Sequence, residues 1–68
     1  MSDVYKIIEL AGTSEESYEK AIGNAIAQAR KSLRNLGWFE VIEQRGRLEE
    51  PNTILYQVKL KVAFKLEK

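Results

Sequence analysis

The clearest regularity in the chain is an alternation near its end. From Ile54 to Leu66, the residues Tyr56, Val58, Leu60, Val62, Phe64 and Leu66 share one parity, and Leu55, Gln57, Lys59, Lys61, Ala63 and Lys65 the other. A period of two with one apolar and one polar set predicts a half-buried strand. A different period governs the middle. Tyr18, Ala21, Ile22, Ala25, Ile26, Ala29, Leu33 and Leu36 recur at steps of three and four, which predicts one apolar helix face between about Ser14 and Asn35. Thr13 or Ser14 can cap that helix, and Thr13 with Glu16 has the capping-box spacing. Glu15, Glu16 and Glu19 near its start and Arg30, Lys31 and Arg34 near its end suit the helix dipole. Gly37 is placed to be the left-handed residue that stops it. Ala21, Ala25 and Ala29 are small enough to let the helix lie close to a sheet.

Two further segments read as strands. Residues 4–10, "VYKIIEL", are β-branched and alternate imperfectly, with Tyr5 and Ile7 on one side and Lys6 and Ile8 on the other. Trp38 to about Gly46, "WFEVIEQRG", forms the second, followed by a turn in "RLEEPNT" with Pro51 at an early turn position. The order is β-α-β-β, an α+β arrangement in which a three-stranded antiparallel sheet wraps around one helix. Strands one and two run the same way, so the third must lie between them for every neighbour to be antiparallel. Lengths do not match. The last strand spans about 43 Å at ~3.3 Å per residue, a helix of about 20 residues only about 30 Å, and strand one about 23 Å. The long strand overhangs, and apolar residues at its end such as Phe64 and Leu66 need cover from another subunit.

Composition sharpens this expectation. With 68 residues the chain is read as one domain, residues 1–68, and it holds neither cysteine nor histidine. A core this small supplies at most about 3–5 kcal/mol without reinforcement. Disulfides and a thiolate or imidazole metal site are excluded, which leaves oligomerisation. The same lack removes Ser-His-Asp and Cys-His nucleophiles. No motif of carboxylates, lysines or tyrosines takes their place, so the reading is not an enzyme. Eleven Lys and Arg against ten Asp and Glu give a net charge of +1, too balanced for a dedicated nucleic-acid binder. The N-terminal "MSDVYKIIEL" does not read as a signal peptide, and no run approaches the ~20 apolar residues of a membrane span. The expectation is a soluble, cytoplasmic protein with no membrane or nucleic-acid partner.

One residue stands apart. Trp38 is the only tryptophan and follows the expected helix stop directly. In strand two, Phe39 and Val41 share a face with Glu43 and Arg45, while Trp38 shares the other with Glu40, Ile42 and Gln44. If Phe39 and Val41 face the helix, Trp38 does not. It is then either a plug folded back over the helix end or an exposed aromatic platform, and exposed apolar patches bind something. Gln57, an amide on the polar side of the last strand, is either solvated or part of the same platform. Stacking on one ring is worth about 1–3 kcal/mol, whereas micromolar binding needs about 8 kcal/mol. A platform therefore requires copies from symmetry-related subunits, with a flat ligand between two indoles.

"VYKIIELAGTS", "LRNLGWFEV" and "YQVKLKVAFKLE" together closely resemble the dodecins, small flavin-binding proteins, over residues 4 to 67. The resemblance implies a hollow homododecamer of tetrahedral symmetry. In it two flavins stack between symmetry-related tryptophans, and a glutamine binds the polar edge of each isoalloxazine. These roles carry over to Trp38 and Gln57. Bacterial members have an arginine at the position of Arg45, near the flavin, mostly favour FMN, and in some cases bind coenzyme A. The implied function is non-enzymatic flavin storage or sequestration with quenching of fluorescence and photochemistry. The charged surface of Arg45, Lys59 and Lys65 would suit a ribityl phosphate, although exposed lysines such as Lys59 and Lys61 are more often simple solvating charges.

The chain departs from the family pattern at three places. Its "AFKLE" stands where "GFRLE" is usual, so Lys65 keeps the charge of an arginine but not the planar fork that grips phosphate. Gly37 stands for a common Asp, and Arg47 for a common histidine. The rival readings are a ligand-free structural assembly and a nucleic-acid-binding module built on Trp38, Lys59 and Lys61.

Overall fold

The computed structural model describes residues 2–67. The elements are β1 (Tyr5–Ser14), α1 (Tyr18–Ser32), β2 (Leu36–Glu49) and β3 (Thr53–Lys65). The sheet order is β1-β3-β2 and both ladders are antiparallel. The β-α-β-β architecture and the central place of the last strand agree with the reading of the sequence.

The alternation in β3 builds the core. Val58, Leu60 and Val62 are each at most 1% exposed and meet Ala21 and Ala25 of α1. Ile8 and Leu10 of β1 and Ile22 and Ile26 of α1 pack around this cluster. The small helix face does what its alanines imply, because β1 approaches it closely. A methyl group at Gly12 would run into the Ala21 carbonyl oxygen and come within 2.9 Å of the Ala25 Cβ.

The ends of α1 differ from expectation. Its N-cap is Ser17, whose hydroxyl accepts from the Lys20 amide at 3.0 Å. Neither Thr13 nor Ser14 serves, because β3 is long enough to pair with β1 as far as Ser14, which holds both in the sheet. Ser14 Oγ instead accepts from the Glu16 amide at 2.9 Å and shapes the connection. At the other end Leu33 is extended and Asn35 takes the left-handed conformation, φ 62°, a role asparagine fills when glycine does not. Gly37 is not the stop. It lies in β2, where an added Cβ would meet the Tyr5 ring at 2.9 Å. The Glu50–Pro51 peptide in the β2–β3 turn is cis.

The helix covers only part of the sheet. It packs chiefly on β1 and β3, and of β2 it is Leu36, at the strand's start, that joins the core cluster. Between its two end residues, every position of β2 is exposed. A 15-residue helix spans about 22 Å beneath strands of 13 and 14 residues. The molecule is accordingly long and thin, 54 × 21 × 13 Å, with a radius of gyration of 14.1 Å. A compact chain of this length has about 11 Å. Its accessible surface is 5307 Å², against about 4400 Å² for a compact protein of the same mass.

Candidate functional site

The face of the sheet away from α1 carries the residues singled out above. The route by which they reach it lies in β2. Trp38 opposes Ala63, Phe39 opposes Val62 and Val41 opposes Leu60, but Glu43 then opposes Lys59, with Ile42 bulged out between. One extra residue reverses the parity. Glu43 and Arg45, expected on the side of Phe39 and Val41, therefore join Trp38 and Glu40 on the outer face. Gln44 and Gly46 turn inward. Gly46 has no side chain to obstruct Tyr56, its ladder partner, which meets Tyr18 edge-on at 4.9 Å. Two adjacent apolar residues, Val41 and Ile42, between charged ones are the sequence trace of this bulge.

The outer face is layered in cross-strand rows. At one end lie Tyr5 opposite Lys65, then Ile7, Ala63 and Trp38. Next comes Glu9, Lys61 and Glu40, followed by Ala11, Lys59 and Glu43. The fourth row is Thr13, Gln57 and Arg45. Each lysine of the middle rows thus has at least one carboxylate opposite it, which offsets its attraction for a phosphate.

Trp38 is not a plug on the helix. It is 52% exposed on the bare face, with its ring 4.7 Å from that of Tyr5 at an interplanar angle of 53°. This tilted contact holds one side of the indole and leaves ring surface open. Tyr5 was not among the expected site residues. Its position opposite Lys65, next to the Trp38 row, is a product of register that strand alternation alone does not give.

Arg45 and Gln57 come together in the ladder, and Arg45 Nε donates to Gln57 Oε1 at 2.8 Å. They line a cavity of about 300 Å³ with Ala11, Thr13, Glu43, Val58 and Lys59. Trp38 and Lys65 are not part of it. Along β3, Gln57 is six residues from Ala63, the partner of Trp38, so the indole and the amide stand about 20 Å apart in one subunit. Lys65 is further still, its ammonium 3.5 Å from the Asp3 carboxylate. The four expected site residues thus form two groups at opposite ends of the face. Among the described residues no group of three or more acidic side chains is arranged to hold a metal ion, and no helix is long and apolar enough to cross a membrane.

A single helix on a strongly overhanging three-stranded sheet, with an aromatic pair and an amide–guanidinium pair on the bare face, defines a narrow class of small α+β proteins. The dodecin family model matches residues 4–67, and the chain belongs to the dodecin family. A dodecin from Thermus thermophilus is 57% identical over 67 residues, covering 98% of this chain and 97% of its own. That dodecin has been crystallised with a tryptophan replaced by phenylalanine, a structure that matches with a TM-score of 0.91 at 54% identity, over 98% of this chain and all of that one. The dodecin from Streptomyces davaonensis matches over the full length of both chains with a TM-score of 0.93 at 40% identity. A calcium dodecin from Mycobacterium tuberculosis is 40% identical over 63 residues, covering 93% of this chain and 89% of its own.

Proposed function

We propose that the protein is a non-enzymatic flavin-binding homododecamer that stores or sequesters an FMN-type flavin in the cytoplasm and quenches its excited state. The observation that carries this reading is the placement of Trp38. A dodecin subunit that keeps its only indole half-exposed on the bare face of a sheet, braced by Tyr5, holds a stacking surface ready for a flat ring.

The residues suit an isoalloxazine. The indole face offers offset stacking, worth about 0.5–1.5 kcal/mol beyond area burial. Gln57 offers an amide to a polar ring edge. The two stand about 20 Å apart in one subunit, so one ring system cannot use both within a single copy. A site with both is built between copies, which also brings a second Trp38 opposite the first. Assembly has its own support, since the surface in excess of a compact chain is about 900 Å², close to the ~800 Å² each partner commits to a stable interface. The electron-rich indole can return an excited, stacked flavin to its ground state by electron transfer. Coenzyme A, bound by some dodecins, would have Lys65 as its phosphate contact here.

The test is a titration of FMN with the full chain, followed by emission, beside a mass measurement. Emission is expected to fall as protein is added, the particle to be a large multiple of 7.8 kDa, and Trp38→Ala to abolish most of the quenching. Unchanged FMN emission at micromolar protein sinks the reading.

A further inference from the structure

We propose that Arg45 serves ligand binding through Gln57 and not through a phosphate. It is a positioning residue that fixes which end of the amide meets the ring. This rests on the flavin reading above and adds to it the chemistry of the edge that is recognised.

One donor edge of the Arg45 side chain is committed. Its Nε–H points at Gln57 Oε1 at 2.8 Å, across a non-bulged step of the β2–β3 ladder. The two ion pairs among the described residues, Arg47 with Glu49 and Lys65 with Asp3, do not involve it. A guanidinium has donors only, so the group facing it must present oxygen. That settles the orientation of an amide whose two ends are otherwise similar in shape. The Gln57 NH2 is turned away from Arg45 with both hydrogens free to donate, and Oε1 retains a second lone pair. One side chain then offers an acceptor and a donor side by side. The complement is a ring edge with N–H next to C=O, as in an imide or a pyrimidinedione. Without Arg45, the amide can rotate by half a turn and present the two in reverse.

The surroundings disfavour the phosphate alternative. The same cavity is lined by Lys59 and by Glu43, which opposes Lys59 in the ladder. The cations there are therefore partly offset, and the Arg45 Nε edge that would contribute to a fork is already bonded to Gln57.

FMN and riboflavin carry the same ring and differ in the phosphate, so they separate the two roles. In titrations of the full chain, Arg45→Ala is expected to weaken both by a similar factor, about tenfold, the scale of one hydrogen bond to a charged group. That loss should not change with added salt. Arg45→Lys keeps the charge but not the fixed Nε–H, and should lose nearly as much. In a Gln57→Ala background the Arg45→Ala change should add little. A loss confined to FMN, full rescue by lysine, or simple additivity with Gln57→Ala overturns the proposal while leaving flavin binding intact. Binding of neither flavin by the unmodified protein overturns both. Because Arg45 is exposed, its variants should keep the mass and far-ultraviolet dichroism of the parent, so the ligand data report on the site.

Discussion

Two halves of the sheet meet very different fates. Where α1 lies over β1 and β3, Val58, Leu60 and Val62 are sealed against Ala21 and Ala25. Across the same sheet, Phe39, Val41 and Leu48 of β2 point to the same side as those residues and remain exposed, Leu48 by 85%. Both regions have apolar residues facing the same way. They differ in cover, because Phe39 and Val41 stand level with Val62 and Leu60, but a single helix laid over β1 and β3 does not reach sideways across β2. One half is a core that the subunit completes alone. The other is half of a core, and its missing half has to come from outside the chain.

The strongest way to break this contrast is to damage the finished half. Leu60 is fully buried at its centre, and Leu60→Ala should cost about 2–5 kcal/mol through lost burial and a residual cavity. That is comparable to all the stability a core this small provides, so little folded subunit should remain in mild denaturant by dichroism. A midpoint near that of the parent would show that β3 is not the centre of the core. Next in size is the unfinished half. Val41→Asp places a carboxylate where a single subunit exposes the position and an assembly would bury it. A charge taken from water without a partner is costly, so light scattering should show the large particle breaking into smaller species while the secondary structure persists. A particle of unchanged mass would mean that the apolar side of β2 is not where copies meet.

That contrast also marks what could be read from residues alone. The alternation in β3 and the three-and-four spacing of α1 each report burial against a neighbour within the chain, so helix face and core followed from them, while the strand order followed from asking every neighbour to be antiparallel. The overhang was legible from lengths, though its place was not. Phe64 and Leu66 were expected to be stranded, whereas the larger uncovered set lies on β2 and includes Val41. Alternation says which residues share a face, but not how far sideways a helix reaches. The outer face escaped for another reason. Arg45 reaches the Trp38 side only through the bulge at Ile42, and a one-residue insertion reverses every later side chain. The Arg45–Gln57 contact and the Tyr5–Trp38 pair are register effects of the same kind. Trp38 and Gln57 could be chosen from the sequence, but the 20 Å between them could not, because that distance needs the ladder.

The smallest effect sharpens the contrast at the helix start, where the sequence pointed to Thr13 or Ser14 as the cap and Ser17 fills that place instead. Ser17 accepts from the Lys20 amide and satisfies one of the first free donors of α1. Thr13, by contrast, is an exposed strand residue whose carbonyl oxygen accepts from the Asn24 amide side chain, a bond that does not depend on its hydroxyl. Ser17→Ala should therefore cost about 1 kcal/mol, and Thr13→Ala clearly less. Both changes sit in or beside the half that a subunit completes by itself, away from the uncovered side of β2. The loss in Ser17→Ala should thus appear as a lowered denaturation midpoint with the particle mass intact, the reverse of the pattern for Val41→Asp. A lower midpoint for Thr13→Ala than for Ser17→Ala would return the cap to Thr13. A Ser17 variant that also lost mass would show that the helix start takes part in contacts between copies, and the division between a finished and an unfinished half would have to be redrawn through α1.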